Sequence, residues 1–312
     1  MILITGPKFT GMHIARYLVD RGQEVLLLRR RHFELPSFLA SYTDKQVKKA
    51  VGDVRDVALL CRLIREYKVE SIIHTAEVME LSTDSLYEAL KINVSGTIEV
   101  MEAARIFGLR RVTFFSSMAV YMGTQRPLEL LQEDLDLPVT SSGYIPATKK
   151  AGEQICQLYL KAGLSAPTVR PTGIWGPLYW TGLHPMMLMV ENAVAGKPAD
   201  YSHICGLTKS HRVYVRDCAR AVALVHLAPV LKHDIYNVSD GKLTSLADFA
   251  EAIRGIIPDA QIKLGMTRSA KDVDSPPISI ARLKEEFGFT PEYDLKRGVQ
   301  AYVDWLRDGK YS

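Results

Sequence analysis

The first 30 residues constrain the fold of this chain more than any other stretch. An apolar run at 1–4 is followed by a turn-rich segment and then by apolar residues at helical spacing. Gly22 ends the helical pattern, and a second apolar run of strand length follows at 25–28. The order strand, glycine loop, helix, strand predicts the opening unit of a dinucleotide-binding fold.

The loop between the first strand and the first helix has residue types that suit a phosphate. A phosphate requires close backbone approach, N–H donors and the positive end of a helix dipole, and glycine permits the close approach. Gly6 and Gly11 flank only four residues, so the loop is one residue shorter than the three-glycine fingerprint and lacks its middle glycine. We expect Gly6, Phe9, Thr10 and Gly11 to bind the cofactor, with an ordinary strand-to-helix turn as the alternative.

The composition narrows the class of protein. The chain has 312 residues, enough for one large or two modest domains, and 47% of them are hydrophobic. The net charge of +4 is small and spread out, which gives no support for nucleic-acid binding but suits an anionic small molecule. The four cysteines lack paired metal-site spacing, and no apolar run reaches the length of a membrane helix. With no signal peptide visible, we expect a cytoplasmic protein that binds no metal, membrane or nucleic acid.

Strands and helices alternate through the first half of the chain, which predicts parallel βαβ units. We therefore expect an α/β fold with a doubly wound parallel sheet of the Rossmann type. The dinucleotide-binding domain is predicted to cover 1–170, with a return segment near 213–238. A smaller, interleaved α/β substrate domain is predicted to cover 171–312.

The end of the second strand carries a basic run. Arg29 and Arg30 are followed by Arg31, and no acid is present there. At this position an acid binds the ribose hydroxyls of NAD, whereas an arginine accommodates the 2′-phosphate of NADP. The run therefore favours NADP over NAD as the cofactor, and a solvated basic turn is the alternative.

The ends of the next two strands carry further candidate cofactor contacts. Asp53, followed by Val54, has two open roles: binding the adenine amino group, or capping the next helix. Thr75 and Ala76 are small residues at a strand end, which lets a cofactor lie close. The preceding His74 is expected to be a packing residue.

Seven short motifs, in their order and spacing, resemble the extended short-chain dehydrogenase/reductase family, which includes NDP-sugar epimerases, dehydratases and reductases. They are Ile4–Gly6, Gly52–Val54, Asn93–Thr97, Ser116–Tyr121, Arg170–Pro177, Tyr214–Asp217 and Tyr236–Val238. The resemblance covers nearly the whole chain. It implies an N-terminal NAD(P) domain, a smaller substrate domain, and a homodimer built from the helices near 85–107 and 144–162.

The resemblance also implies a set of reacting side chains. Ser117 matches the serine that hydrogen-bonds the reacting oxygen, and Lys149 matches the lysine that holds the nicotinamide ribose. The family's tyrosine is the general acid/base, and a lysine cation stabilises its phenolate, since an unperturbed tyrosine has a pKa of about 10. Pro171 and Ile174 stand at further cofactor-contact positions.

The tyrosine does not match the family's pattern, in which it precedes the lysine by four residues. Tyr144 precedes Lys149 by five residues, which turns the two side chains roughly 140° apart on a regular helix. Pro146 offers a remedy if Tyr144 precedes the first turn and swings back. Otherwise the site lacks its general acid/base, or another group such as Tyr179 or His184 replaces it.

Other departures and matches bear on the reaction. The family's 4,6-dehydratases carry an Asp-Glu pair where this chain has Met118 and Ala119, which cannot transfer protons, so that reaction is disfavoured. Arg212 and Arg268 stand near the positions of the two arginines that clamp a sugar-nucleotide diphosphate, a task that suits bidentate pairing.

Two functions follow from the sequence. The first is an NAD(P)-dependent epimerase or reductase that acts on a secondary alcohol or ketone, with a nucleotide sugar as one candidate substrate. The second is a degenerate family member that runs redox-neutral chemistry or senses a nucleotide without catalysis. The shortened glycine loop and the displaced tyrosine are the two features that keep the second hypothesis open.

Overall fold

A computed structural model of the protein describes residues 1–79, 86–123, 130–179 and 184–309. The helices are α1 Phe9–Val19, α2 Ser37–Ala40, α3 Val57–Tyr67, α4 Leu86–Leu90, α5 Gly96–Ile106, α6 Tyr144–Lys161, α7 Pro185–Val194, α8 Val215–Leu227, α9 Leu246–Arg254, α10 Ala281–Phe287 and α11 Leu295–Asp308. The strands are β1 Ile2–Thr5, β2 Val25–Arg29, β3 Val47–Val51, β4 Ser71–His74, β5 Arg111–Phe115, β6 Thr168–Pro171, β7 Gly173–Trp175, β8 Ala199–Cys205, β9 Ser210–Tyr214, β10 Ile235–Val238, β11 Leu243–Thr244 and β12 Ile262–Gly265.

A seven-stranded sheet dominates the fold, in the order β3-β2-β1-β4-β5-β6-β10. Every pairing between its strands is parallel. Such a sheet is covered on both faces, which explains why its central strands are continuous apolar runs. The order reverses between β1 and β4, and ligands bind outside the carboxyl ends of the strands at such a point. The predicted α/β class with a doubly wound parallel sheet is confirmed.

Two apolar layers cover the two faces of this sheet. On one face, α1 and α8 pack against β1, β2 and β10 through side chains such as Ile14, Leu18 and Val222. On the other face, α3 and α5 contribute Leu60 and Met101 to a second cluster. The sheet and these two layers hold the carboxyl ends of β1, β2, β4 and β5 in fixed positions.

Smaller elements form a separate apolar cluster around Trp175. Its sheets are β11-β9-β7 and β12-β8, and α7, α9 and α11 pack around them. The chain enters this region directly after β6 and leaves it to add β10 to the large sheet. The division of the chain into domains at residue 170 stays a prediction.

The helix predicted near 85–107 is interrupted. Between α4 and α5, Lys91–Ser95 forms one π-helical turn, and residue 85 lies outside the described residues. The turn carries Asn93 into the interior, where its Oδ1 accepts a hydrogen bond from Val78 N at 2.8 Å. Its Nδ2 donates to Val78 O at 3.2 Å and to Thr148 Oγ1 at 3.3 Å. The buried asparagine therefore fastens the segment after β4 to α6.

Over the described residues, no helix is both long and apolar enough to cross a membrane. Within those same ranges, no group of three or more histidine, cysteine or acidic side chains is arranged to hold a metal ion.

Candidate cofactor and reaction site

Gly6 is the point where the carboxyl ends of three strands meet. It follows β1 with a φ of +63°, in the left-handed region that favours glycine. Its N–H donates to Leu28 O of β2 at 2.9 Å. A Cβ at this position would lie 2.3 Å from the Cα of Ala76, just after β4. A side chain at this position would therefore collide with the backbone after β4, and the close approach of a phosphate to Gly6 stays a prediction.

Helix α1 begins at Phe9, two residues beyond Pro7, so the shortened loop still leads directly into a helix. The N–H groups of Phe9, Thr10 and Gly11 have no acceptor one turn earlier in the helix, because the helix starts there. They lie at the positive end of the helix dipole, which favours an anion. The loop is therefore one residue shorter than the fingerprint, but it still ends in a helix N-terminus that can bind an anion.

Two cavities adjoin this loop. The first has a volume of about 290 Å³, and its lining includes Arg29, Arg30, Arg31, Asp53, Val54 and Ala76. The second has a volume of about 70 Å³, and its lining includes Phe9, Thr10, Gly11, Thr75, Phe115 and Tyr179. Gly6, Lys8 and Glu77 line both cavities. We call the two cavities together the cofactor cleft.

The basic end of the cofactor cleft has an internal ion pair. The carboxylate of Asp53 accepts hydrogen bonds from the backbone N of Arg55 at 2.9 Å and from its guanidinium at 2.9 and 3.0 Å. Burial alone would raise the pKa of Asp53, but the pairing with Arg55 outweighs it and lowers that pKa. Helix α3 is capped by Asp56, whose Oδ1 accepts from Leu59 N at 2.9 Å. The prediction that Asp53 caps this helix is therefore wrong, which leaves binding of the adenine amino group as its predicted role.

His74 is held between two threonine hydroxyls beneath the cleft. Its Nδ1 lies 2.7 Å from Thr5 Oγ1, and its Nε2 lies 3.1 Å from Thr97 Oγ1. Thr97 donates its own proton to Asn93 O, so it accepts from Nε2–H, and Thr5 donates to Nδ1. Burial, with a smaller effect of the Lys149 cation, lowers the pKa of His74 to about 3. The ring is therefore neutral and serves in packing, as expected.

Lys149 is buried on α6 and reaches the ends of two strands. Its Nζ donates to Phe115 O at the end of β5, at 2.6 Å. The same nitrogen lies 2.6 Å from Oε2 of Glu77, three residues after β4. Sequence reasoning missed Glu77, because only the fold shows that this acid meets the predicted lysine.

Ser117 stands two residues beyond β5 in extended backbone. Its Oγ accepts a hydrogen bond from Ala119 N at 3.1 Å and so caps the short 3-10 helix at 118–121. Because the oxygen accepts in that bond, the hydroxyl proton can still be donated to a ligand oxygen. Ser117 is half-buried.

Tyr144 is the first residue of α6, so the helix already includes it. Pro146 does not delay the start of the helix, and the divergence of roughly 140° from Lys149 applies. The hydroxyl oxygen of Tyr144 is buried. Its part in the reaction stays a prediction.

A buried ion pair that the sequence did not reveal fixes the strand ends below Ser117. Arg170 on β6 binds Glu153 on α6, with Nη2–Oε2 and Nε–Oε1 distances of 2.6 and 2.9 Å. Glu153 also accepts from Ser116 Oγ at 2.5 Å, and Arg170 donates to Tyr121 Oη at 2.8 Å. The network ties β5, β6 and α6 together, which holds Lys149 and the backbone of Ser117 in register.

The two arginines predicted to clamp a diphosphate lie in different settings. Arg212, on β9, is half-buried, and its Nε lies 3.2 Å from Met186 Sδ. Burial lowers its pKa, although the neighbouring Asp240 opposes that effect. Arg268 is exposed, and its Nη2 binds Asp274 Oδ1 at 2.9 Å and Leu207 O at 2.7 Å. Arg212 also donates to His211 O at 3.1 Å, so the protein holds both guanidinium groups, and their part in binding a diphosphate stays a prediction.

The remaining predicted residues are placed as follows. Tyr179 lines the second cavity and packs edge-on against Phe9, with ring centroids 5.1 Å apart. His184 precedes α7, where its Nδ1 accepts from Met186 N at 3.4 Å, and burial lowers its pKa to about 4. Pro171 ends β6 and Ile174 lies in β7. Neither is among the described residues that line the cofactor cleft.

The fold defines a Rossmann-type protein with a cleft at the carboxyl ends of the strands. The model of the NAD dependent epimerase/dehydratase family matches residues 2–239. The chain belongs to that family, as its sequence motifs implied.

Individual relatives carry epimerase and dehydratase names. The chain is 25% identical over 317 residues to a UDP-glucose 4-epimerase of Lactobacillus helveticus, covering 94% of this chain and 92% of the relative. It superposes on a UDP-glucose 4-epimerase of Thermotoga maritima solved with UDP-glucose, with a TM-score of 0.83, 18% identity and 99% coverage of both chains. It also superposes on a dTDP-glucose 4,6-dehydratase of Bacillus anthracis in complex with NAD, with a TM-score of 0.79, 21% identity, and coverage of 99% of this chain and 97% of the other.

Proposed function

We propose that this protein is an NAD(P)-dependent enzyme that interconverts a secondary alcohol and a ketone on a nucleotide sugar, most simply as a sugar epimerase. Membership of the family supports an NAD(P) cofactor, and the UDP-glucose 4-epimerase relative of Lactobacillus helveticus supports a nucleotide sugar as the substrate. The observation that carries the proposal is the cofactor cleft, whose two cavities are lined by Gly6, by the start of α1 and by Arg29–Arg31.

The residues fit a dinucleotide. Gly6 presses against Ala76 and leaves its backbone face open to the cleft, while Phe9–Gly11 present N–H groups at a helix N-terminus. Bound nicotinamide would supply a hydride acceptor or donor. In the proposal Ser117 donates a hydrogen bond to the reacting oxygen, Tyr144 moves its proton, and the Lys149 cation supports both from its buried position on α6. Arg212 supplies a cation for the substrate's phosphates.

The proposal favours epimerisation or reduction over 4,6-dehydration. Met118 and Ala119 follow Ser117 directly, and neither side chain can transfer a proton. The dehydratase likeness lies at 21% identity and supports a common fold alone.

For the cofactor, we propose NADP ahead of NAD. Arg29, Arg30 and Arg31 line the larger cavity, where guanidinium groups suit a 2′-phosphate. Arg29 is also stacked on Phe33 at 5.0 Å, which orients it at the cavity edge.

A second candidate function is favoured by the setting of the tyrosine and lysine. Tyr144 lies inside regular helix with its hydroxyl buried, and the Lys149 charge is matched by Glu77 at 2.6 Å. Both features weaken the means by which a lysine stabilises a phenolate. A redox-neutral reaction, or nucleotide sensing without turnover, would need neither a tyrosine phenolate nor a lysine to stabilise it.

The test is direct. Purified protein is titrated with NADPH and NADH by fluorescence, examined by native mass spectrometry for retained dinucleotide, and incubated with UDP-sugars while the sugar products are separated. The proposal predicts saturable binding, tighter for NADPH, and conversion that Lys149→Ala abolishes. Absence of binding at millimolar dinucleotide overturns it, and conversion untouched by Lys149→Ala favours the second function.

A further inference from the structure

Glu77 occupies a central place in the cofactor cleft that the family's serine, tyrosine and lysine do not account for. Its Oε2 lies 2.6 Å from Nζ of Lys149, which also donates to Phe115 O at 2.6 Å. An ammonium group has three N–H donors. One of those of Lys149 is donated to Phe115 O, and the buried Oε2 of Glu77 forms an ion pair with the same ammonium group.

Within this ion pair, the carboxylate is the group that faces the cleft. The Glu77 side chain is 17% exposed and that of Lys149 is 7% exposed. Glu77 lines both cavities, whereas Lys149 is not among the described residues that line either. A ligand that passes from one cavity to the other therefore meets a hydrogen-bond acceptor at this point.

The chemistry of a carboxylate decides which part of a ligand belongs there. An ionised carboxylate only accepts hydrogen bonds, so it suits a pair of neighbouring hydroxyls and repels phosphate. Acidic side chains bind ribose hydroxyls in this way in dinucleotide-binding folds. Along this cleft the cationic end is Arg29–Arg31, the anion-binding helix end begins at Phe9, and Glu77 lines both cavities beside the buried Lys149.

We propose that Glu77 binds the two hydroxyls of the ribose on the nicotinamide side of the dinucleotide, and that Lys149 positions its carboxylate. This inference rests on the proposed function, since it assumes that the cleft takes a dinucleotide.

The test compares NADH with ADP, which lacks the second ribose and the nicotinamide attached to it. Calorimetric titration of both ligands into the wild type and Glu77→Ala tells whether the contact lies on that half of the dinucleotide. We expect Glu77→Ala to weaken NADH binding at least tenfold, in line with loss of a charge-assisted hydrogen bond, and to leave ADP binding within twofold. Glu77→Gln, which keeps one acceptor oxygen and the shape, should fall between.

A matched control lies at the other end of the same strand. Glu70 precedes β4, and its carboxylate lies 3.4 Å from the N-terminal amine, far from the cleft. Glu70→Ala should bind both ligands as the wild type does. If Glu77→Ala misfolds, it loses binding of ADP as well as of NADH. In that case the affinities of Glu77→Gln for NADH and ADP are compared instead.

Two outcomes overturn the inference in distinguishable ways. If wild-type protein binds NADH and Glu77→Gln and Glu77→Ala bind it equally well or better, Glu77 does not hold the ribose, and the proposed function stands. If wild-type protein binds neither NADH nor ADP, the proposed function fails and this contact fails with it.

Discussion

Gly6 combines a left-handed backbone with a contact that leaves no room for a methyl group. Gly6→Ala places a Cβ 2.3 Å from the Cα of Ala76 and strains a φ of +63°. We expect the free energy of unfolding to fall by more than the roughly 1–2 kcal/mol of left-handed strain alone, and NADH binding to be lost. Chemical denaturation and NADH titration measure the two effects.

Gly22 provides the control for this substitution. Its φ is +75°, and a Cβ there would meet nothing within 4 Å. Gly22→Ala therefore carries the strain without the collision and should keep NADH binding. Equal stability and equal NADH affinity of the two variants would refute the role assigned to Gly6.

Buried histidines make the stability of the protein depend on pH. Burial, with smaller effects of Arg110 and Arg111, lowers the pKa of His226 well below 6.5, and its ring nitrogens lie 2.8 and 2.9 Å from Ser71 Oγ and Thr113 Oγ1. Because the folded pKa lies below the unfolded one, the unfolded chain binds more protons below pH 6.5. This contribution is complete above that pH and is lost as the pH falls, by up to about 1.4 kcal/mol per pH unit.

His226→Gln removes this titration. We expect the difference in unfolding free energy between the wild type and the variant to shrink between pH 7 and pH 5, as measured by urea denaturation. A difference that stays constant over that range would show that His226 is not held neutral.

The π-helical turn between α4 and α5 is the element that fastens the segment after β4. Asn93→Ala leaves the N–H and the carbonyl of Val78 without their side-chain partner. The expected cost is about 1–3 kcal/mol, with faster hydrogen exchange at Val78. Thr148→Val removes only the bond to Nδ2 and that to Ile145 O, so it should leave exchange at Val78 unchanged. Equal exchange in both variants would contradict the assignment.

Several elements could be predicted from local sequence, because short apolar runs mark buried parallel strands. The runs at 1–4 and 25–28 fall on β1 and β2. The π-helical turn could not be predicted, since the apolar residues keep a helical spacing on both sides of Asn93.

In the candidate site too, some residues could be predicted from the sequence and others could not. Gly6, Arg29 and Asp53 stand at strand ends, and parallel strands bring those ends to one edge, so their presence around one cleft follows from the pattern. The Glu77–Lys149 and Glu153–Arg170 pairs join residues far apart in the chain. No periodicity reports such contacts, and only the packed fold reveals them.

At the scale of the whole molecule, we propose a homodimer built on α4, α5 and α6. Apolar side chains on these helices face solvent, with Tyr87 67%, Ile98 41% and Leu158 66% exposed. Burying them against a second copy would remove apolar surface from water, the main driving force of association.

Leu158→Glu places a charge in that surface and should convert the dimer to a monomer in sedimentation velocity. Val230→Glu is the control, since Val230 is 78% exposed beyond the end of α8, away from these helices. A wild-type chain that sediments as a monomer, or a dimer that Leu158→Glu leaves intact, would refute the proposed interface.

The central claim is that the shortened loop from Gly6 to Gly11 still seats a dinucleotide. The most direct measurement is a crystal structure of the protein grown with excess NADP and, separately, NAD. The account predicts continuous ligand density through both cavities, with the phosphates at the start of α1. A cleft without ligand density, in which the side chain of Lys8 or Phe9 fills the space beside Gly6, would contradict it.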